Sequence, residues 1–286
     1  MHNLVTATVL SVSAIALPLA AQAQDGCKLD KSEHVFSQAP NGPLKTHVFS
    51  PPGTKGKPRP AIVIFHGGGW VMGDPSWSFW LTDRFACKGM VTIVAQYRLS
   101  DQKTASPAEA IDDARAAIDW TRAHAKEFNI DPTRVAALGW SAGAHLAASA
   151  AVFATDKTQS PDLLALVSPA VSVVEDNHFR ALFPPGTKIE DFSPAEHVRP
   201  GLPPTVMVTG RTDTVTPLAG VTKFQERMLA AGNVSVLHVY DDVGHLFTPA
   251  GHPDDGFPKP DQAVQAEAYE AIDRFLIEQG YLPAKR

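Results

Sequence analysis

The stretch RVAALGWSAGAHLAASAAV, residues 134–152, decides the fold. Its apolar part, Val135 to Leu138, is typical of a buried strand, and the alanine-rich part from Ala142 is typical of a helix. The pentapeptide GWSAG lies between them and places Ser141 where the strand turns sharply into the helix. Such a junction exposes a serine at the edge of a sheet, although the same small residues also form simple bends. A catalytic interpretation of Ser141 therefore requires partners elsewhere in the chain.

The rest of the chain alternates between apolar runs and helical patterns, which predicts an α/β fold with a mostly parallel sheet and helices on both faces. The predicted strands are 46–49, 61–65, 91–97, 135–138, 163–167, 205–208 and 234–240. The predicted helices are 78–88, 107–127, 142–153, 217–231 and 261–279. Residues 171–204 are irregular and long enough to form a small cap over a site.

Composition favours an ordinary globular protein. Of the 286 residues, 44% are hydrophobic and 19% are charged, and the formal net charge is −5. These values disfavour disorder, and a net negative chain without a local run of Lys and Arg offers no surface for nucleic acid. One catalytic domain over residues 24–286 is the simplest organisation for a chain of this length.

Residues 1–23 resemble a secretory signal peptide. The segment has an apolar run without Asp, Glu, Lys or Arg, and it ends in the small-residue pattern Ala21-Gln22-Ala23. The basic residues that usually precede such a run are missing, which leaves an uncleaved membrane anchor as the alternative. Cleavage after Ala23 predicts a periplasmic or secreted protein without membrane contact. There the cysteines, Cys27 and Cys87, form either one disulfide or two free thiols.

A glycine-rich turn follows another apolar run in IVIFHGGGWVMGD, residues 62–74. The three consecutive glycines let the backbone approach a ligand and direct its N–H groups inward. Acyl transfer needs such donors for the oxyanion of its tetrahedral intermediate. A phosphate-binding turn is the alternative, but the sequence has neither G-x-G-x-x-G nor Gly-Lys-Ser/Thr at this position.

A serine nucleophile needs a histidine base and a carboxylate that orients the histidine. His245 follows the last predicted strand, and Asp213 follows the strand before it. Asp241 and Asp242 compete with Asp213, but their place just before His245 is more typical of a strand end. All candidates follow strands at their carboxyl ends, where open α/β sheets form their sites.

With these motifs, the chain resembles the α/β-hydrolase superfamily, and in particular the serine esterases with an HGGG motif, which include hormone-sensitive-lipase-like and feruloyl or acetylxylan esterase-like enzymes. The segments that carry the resemblance are HGGGW, QYRLS, GWSAGAHLA, GRTDTVTP and GH, in that order. The resemblance implies Ser141 as nucleophile, Asp213 as acid and His245 as base. It also implies an oxyanion hole made by the backbone N–H groups of Gly68, Gly69 and Ala142. The Pro-rich lead before residue 60 is too short for a large cap, so a small or absent cap is expected.

The predicted function is hydrolysis of carboxylic esters through an acyl-enzyme, with a small-molecule or polysaccharide-linked ester as substrate. Trp70, Trp140 and Phe247 are candidates for the substrate pocket. No cofactor and no metal is expected, because the sequence has neither an H-E-x-x-H pair nor a cysteine cluster. Two alternatives stay open: an amide hydrolase of the formamidase type, and a non-catalytic binding protein with the same fold.

Overall fold

One sheet of eight strands forms the centre of the structure, a computed structural model that describes residues 27–52, 56–101, 103–252 and 257–284. The predicted signal peptide lies outside these residues. The strands are β1 (Asp30–Ala39), β2 (Gly42–Ser50), β3 (Arg59–Phe65), β4 (Val91–Ala95), β5 (Ile130–Trp140), β6 (Leu163–Val167), β7 (Thr205–Gly210) and β8 (Ser235–Tyr240). They lie side by side in the order β1-β2-β4-β3-β5-β6-β7-β8.

All neighbouring pairs from β4 to β8 in this order are parallel, whereas β1 and β2 join the sheet antiparallel. The central strands are apolar on both faces because helices cover both. Every residue of β4 and of β6 is buried. The predicted mostly parallel sheet is therefore confirmed.

The helices are α1 (Thr82–Ala86), α2 (Pro107–Ala123), α3 (Ala142–Val152), α4 (Asn177–Ala181), α5 (Leu218–Ala230) and α6 (Gln262–Glu278). The apolar residues of α2, α3 and α5 pack on one face of the sheet, and those of α1 and α6 pack on the other. Local chemistry explains where α2 begins. Ser106 and Glu109 form a capping box, and Pro107 occupies the first turn, where its missing N–H costs nothing.

The amino-terminal hairpin is larger than the sequence predicts. A single strand is expected at 46–49, but β1 and β2 form a long antiparallel pair in which Ala39 is opposite Gly42. Most side chains of β1 are exposed or half-buried, as is common at a sheet edge, so the strand has no apolar pattern. A disulfide between Cys27 and Cys87 connects the residues before β1 to the end of α1. This pairing resolves the alternative that the sequence leaves open.

The irregular segment 171–204 contains only α4 and two short 3-10 turns, Ile189–Phe192 and Pro194–His197. This size agrees with the expected small or absent cap. Among the described residues, no helix combines the length and the apolar character that crossing a membrane requires.

Candidate active site

Ser141 occupies a sharp turn between β5 and α3. Its backbone angles are φ 56° and ψ −122°, a conformation that residues other than glycine rarely adopt. Gly139 and Gly143 must be glycines because there is no space for a side chain at either position. A β carbon on Gly139 would lie 2.1 Å from the carbonyl oxygen of Gly143, and one on Gly143 would lie 2.1 Å from that of Phe65. The turn therefore presents the serine on a backbone that tolerates only glycine two residues away on either side.

The structure brings Ser141, His245 and Asp213 together in one hydrogen-bonded chain. His245 Nε2 lies 2.9 Å from Ser141 Oγ, and His245 Nδ1 lies 2.9 Å from Asp213 Oδ2. Because the carboxylate accepts from Nδ1–H, Nε2 of the neutral imidazole is left to accept the serine proton. All three residues are buried, with 8%, 8% and 5% of their surfaces exposed. The three lie far apart in the sequence, so the fold alone assembles this chain of bonds.

Asp213 is held by three further donors, and two of them come from Thr216, a residue that the sequence analysis missed. The N–H groups of Val215 and Thr216 donate to Oδ1 over 2.9 and 2.7 Å. The Thr216 hydroxyl donates to Oδ2 over 2.8 Å. Both carboxylate oxygens are thus held in place by groups other than His245. Aspartate side chains commonly accept from the backbone N–H two residues on, so Asp213 itself is the local signal that predicts this turn.

Ser168, at the end of β6, is a second residue that the sequence analysis missed. Its Oγ accepts from the backbone N–H of Leu246 over 3.0 Å. Leu246 and Phe247 follow the histidine with φ of 49° and 66°, which is left-handed backbone. The hydroxyl of Ser168 therefore stabilises the turn that carries His245. No sequence pattern marks this role, since the two residues are 78 positions apart.

The carbonyl groups of the glycine turn are bonded within the protein, which leaves its N–H groups directed elsewhere. His66 Nδ1 donates to the Gly67 oxygen over 2.7 Å, and the N–H of Met72 donates to the Gly68 oxygen over 3.1 Å. In a planar trans peptide the next N–H points away from the carbonyl. Within the described residues, the N–H groups of Gly68, Gly69 and Ala142 donate to no protein acceptor. They are available to an oxygen of a bound molecule.

Burial and stacking hold His66 itself. Its ring stacks on Tyr97 with 4.4 Å between ring centroids, and the Tyr97 hydroxyl donates to the His66 carbonyl oxygen over 2.9 Å. Burial lowers the pKa of His66, so its ring stays neutral at pH 7 and donates through Nδ1. His66 is thus hydrogen-bonded within the glycine turn and takes no part in the hydrogen bonds that join Ser141, His245 and Asp213.

The three residues predicted to line a substrate pocket differ in their placement. Trp140 is half-buried, and its indole N–H donates to Ser78 Oγ over 3.0 Å. Trp70 is only 3% exposed, and its indole N–H donates to His145 Nδ1 over 3.2 Å. Phe247 has no exposed surface and packs in the core, so the prediction that it lines the pocket is wrong. The left-handed turn after His245 points its ring inward.

Two grooves of about 860 and 500 Å³ lie away from Ser141, and neither is lined by the three bonded residues. The larger is lined by residues 103–106, Glu109 and 180–187. No group of three or more His, Cys, Asp or Glu side chains suited to a metal occurs among the described residues.

Comparisons with known proteins agree with this geometry. A family model described as BD-FAE matches residues 47–177. Esterase 2 of Thermogutta terrifontis, in a structure where it is phosphoramylated by tabun, superposes with a TM-score of 0.77 at 30% identity, over 89% of this chain and 97% of that one. The propionate-bound structure of the same enzyme superposes with a TM-score of 0.75 at 31% identity, over 92% and 97% of the two chains.

The curated relatives are longer. Esterase LipC of Mycobacterium tuberculosis is 28% identical over 77% of this chain, and the carboxylesterase NlhH of the same organism is 28% identical over 68% of it. The chain spans 58% of the length of LipC, 67% of NlhH and smaller parts of LipN and LipI, 31% and 40%.

A serine in a strand-to-helix turn, a histidine bonded to it and to an aspartate, and a glycine turn at the carboxyl end of a mostly parallel sheet are the features of the α/β-hydrolase class. The chain belongs to the α/β-hydrolase superfamily and, within it, to the esterases that carry an HGGG motif. The resemblance that the sequence indicates is confirmed.

Proposed function

We propose that this chain hydrolyses carboxylic esters, with Ser141 as nucleophile, His245 as general base and acid, and Asp213 as the carboxylate that orients His245. The continuous chain of bonds from Ser141 Oγ through His245 to Asp213, each 2.9 Å long, carries this proposal. A serine hydroxyl alone is a weak nucleophile, and an adjacent imidazole in the correct tautomer is what activates it.

In the first half-reaction, Ser141 Oγ attacks the ester carbonyl carbon while its proton passes to His245 Nε2. The electron pair of the C=O bond moves to the carbonyl oxygen and forms the oxyanion. When the intermediate collapses, the alkoxide leaves with the proton from Nε2, and an ester between the acyl group and Ser141 remains. Asp213 stabilises the transient imidazolium through its bond to Nδ1.

In the second half-reaction, water takes the place of the alcohol. His245 Nε2 accepts its proton, the hydroxide attacks the acyl carbon, and Ser141 leaves as the protonated hydroxyl. The carboxylic acid is released and the starting state is restored.

The oxyanion is assigned to the backbone N–H groups of Gly68, Gly69 and Ala142. Their lack of protein acceptors among the described residues supports this role. Fixed donors of this kind lower the barrier without reorganisation during the reaction, and one of them is worth about 10² to 10³ in turnover.

Covalent labelling tests the nucleophile. A fluorophosphonate probe should label the wild-type protein, and Ser141→Ala should remove the label without loss of folding, as measured by circular dichroism. A folded wild-type protein that takes up no label would favour the alternative of a non-catalytic binding protein. Turnover of p-nitrophenyl esters and N-formyl amides, compared on one preparation, separates the ester hydrolase from an amide hydrolase of the formamidase type.

The natural substrate is proposed to be a small-molecule or polysaccharide-linked ester. Half-buried Trp140, directly before the nucleophile, and Trp70, which is 3% exposed, stay the aromatic candidates for a contact with substrate. A panel that spans acyl lengths, acetylated xylan and feruloyl esters tests this proposal.

Residues 1–23 are proposed to be a cleaved signal peptide, followed by one catalytic domain over 24–286 in the periplasm or outside the cell. The disulfide between Cys27 and Cys87 supports an oxidising compartment. Amino-terminal sequencing of protein recovered from the periplasm or the medium should begin at Gln24. A first residue of Met1 would favour the uncleaved anchor.

A further inference from the structure

The third carbonyl of the glycine turn, that of Gly69, is held from outside the turn. His178, a residue of α4, donates from its imidazole Nε2 to the Gly69 carbonyl oxygen over 3.0 Å. The carbonyls of the two preceding glycines are bonded by residues 66–72 of the turn itself. One exposed histidine of the segment 171–204 thus contacts the backbone that is proposed to bind the oxyanion.

This bond has a consequence for the whole turn. Gly69 has φ 57°, and with two glycines before it the backbone has little intrinsic preference for one orientation. Because the peptide is planar, holding the Gly69 oxygen fixes the peptide between Gly69 and Trp70, which directly follows the Gly69 N–H along the backbone. A β carbon on Gly69 would lie 3.1 Å from His178 Nε2, so the imidazole lies directly against this glycine.

The next residue, Phe179, fixes the position of the backbone that carries His178. Phe179 is fully buried, and its ring packs against Trp70 and against His145 at centroid distances of 4.7 and 5.1 Å. The carboxylate of Asp176 accepts from the Phe179 N–H over 3.0 Å and caps the helix. Consecutive residues of α4 therefore hold the glycine turn twice, once by packing on Trp70 and once by the hydrogen bond to Gly69.

We propose that His178 is a positioning residue for the oxyanion-binding turn. By holding the carbonyl side of Gly69 and by lying against its α carbon, it restrains the backbone rotation at Gly69 that would turn the Gly69 N–H away from the ester oxygen. The inference rests on the proposed ester hydrolysis. Both the neutral Nε2–H tautomer and the imidazolium donate from Nε2, so the contribution is geometric rather than acid-base.

The expected signature is a change in turnover without a change in substrate binding. Oxyanion donors act mainly on the transition state, so their misplacement lowers kcat and leaves KM nearly unchanged. Removing a donor outright costs about 10² to 10³ in kcat, so a donor that is loosened rather than lost should cost about 10- to 100-fold.

The experiment compares kcat and KM for p-nitrophenyl acetate in the wild type, His178→Ala, His178→Gln and His197→Ala. His197 is a matched control, because it lies in the same segment and its Nε2 also donates to a backbone carbonyl, that of Glu190, over 2.9 Å. The amide of glutamine carries a donor at a reach similar to that of histidine Nε2. We expect His178→Ala to lose kcat at constant KM, His178→Gln to recover most of it, and His197→Ala to keep the wild-type value.

Three results would overturn the positioning role: His178→Ala with wild-type kcat, His178→Gln as slow as His178→Ala, or His197→Ala as slow as His178→Ala. His178 is exposed, so thermal unfolding of the variant should match that of the wild type. A wild-type protein that hydrolyses the ester and is labelled at Ser141, beside an unimpaired His178→Ala, refutes this role alone. A wild-type protein that does neither refutes the proposed function as well.

Discussion

The two turns that meet at Ser141 reach left-handed backbone angles in different ways. The glycine turn does so mainly with Gly68 at φ 122° and Gly69 at φ 57°, where the absence of a β carbon removes the steric cost, and Trp70 follows at φ 63°. The turn after His245 does so with Leu246 at φ 49° and Phe247 at φ 66°, which carry side chains. Such residues cost roughly 1–3 kcal/mol each and persist only where their surroundings hold them.

What holds each turn differs accordingly. The glycines of the first turn are held by hydrogen bonds to their carbonyl groups, because glycine has no side chain to pack, and Trp70 after them packs against Phe179. The histidine turn is held by the Ser168 hydroxyl and by the burial of Phe247. A turn that offers N–H groups must leave space for a ligand, whereas a turn that orients a base can fill that space with core. The same site thus combines a glycine turn held mainly by hydrogen bonds with a strained turn held by one hydrogen bond and by the burial of Phe247.

The largest expected effect concerns the packed anchor. Phe247→Ala should lower the free energy of unfolding by about 3–5 kcal/mol, because it leaves a cavity in the core. Phe257→Ala is the control, since this phenylalanine is 74% exposed and its loss should change stability by less than about 0.5 kcal/mol. Urea unfolding of both variants measures the difference. Equal, small losses would mean that Phe247 does not anchor the turn.

A substitution in the glycine turn should lower kcat rather than stability. In Gly68→Ala the new β carbon would lie 2.0 Å from the Met72 carbonyl oxygen, so the turn must move and kcat should fall about 100-fold or more. Gly232→Ala is the control, because Gly232 also has positive φ but an added β carbon meets nothing within 4 Å. That variant should keep its kcat and lose only about 1 kcal/mol of stability. A Gly68→Ala protein with normal turnover would contradict the assigned role.

A smaller effect is expected where a single hydrogen bond holds the histidine turn. Ser168→Ala leaves the N–H of Leu246 without its partner, which should cost about 1–3 kcal/mol of stability and reduce kcat about tenfold through the displaced His245. Ser149→Ala is matched, because Ser149 is a buried serine whose hydroxyl has no partner among the described residues. Ser149→Ala should change the free energy of unfolding and kcat very little. Similar losses of stability and kcat in both variants would contradict the role of Ser168.

The smallest expected effect is a loss of stability in acid, caused by protonation of His145, which accepts a hydrogen bond from Trp70 of the glycine turn. Burial lowers the pKa of His145 to about 4, and its Nδ1 must stay unprotonated to accept from Trp70. The unfolded chain binds this proton near pH 6.5 and the folded chain does not, so stability is full above about pH 6.5 and falls toward pH 4. Between pH 7.5 and 5.5 the loss should be about 1 kcal/mol. His145→Gln should show a shallower pH dependence in urea unfolding, and an unchanged slope would contradict the assignment.

The sequence predicts the sheet and the positions of Ser141, Asp213 and His245 because strong local patterns mark them. Apolar runs mark the buried strands, and each of the three residues follows such a run. The strand β1 is missed for the same reason, since its exposed side chains leave no apolar pattern. Local periodicity reports burial, and an edge strand is hardly buried.

Tertiary contacts explain what sequence reasoning missed or misplaced. Phe247 follows the histidine directly, which suggests a pocket residue, but the left-handed turn directs its ring into the core. Ser168 and His178 act through backbone groups far away in the sequence, and neither has a motif. Whether Cys27 and Cys87 meet depends on where the fold places the amino-terminal segment. Only the assembled fold brings these groups together.

The most direct test of the account is the acyl-enzyme itself. Rapid mixing of the wild-type protein with p-nitrophenyl acetate, followed by acid quench, peptide digestion and mass spectrometry, locates the acyl group. We expect a burst of p-nitrophenol equivalent to the enzyme and an acetyl group on the peptide that contains Ser141, with neither present in Ser141→Ala. Turnover that continues in Ser141→Ala, or an acetyl group found on another residue, would contradict it.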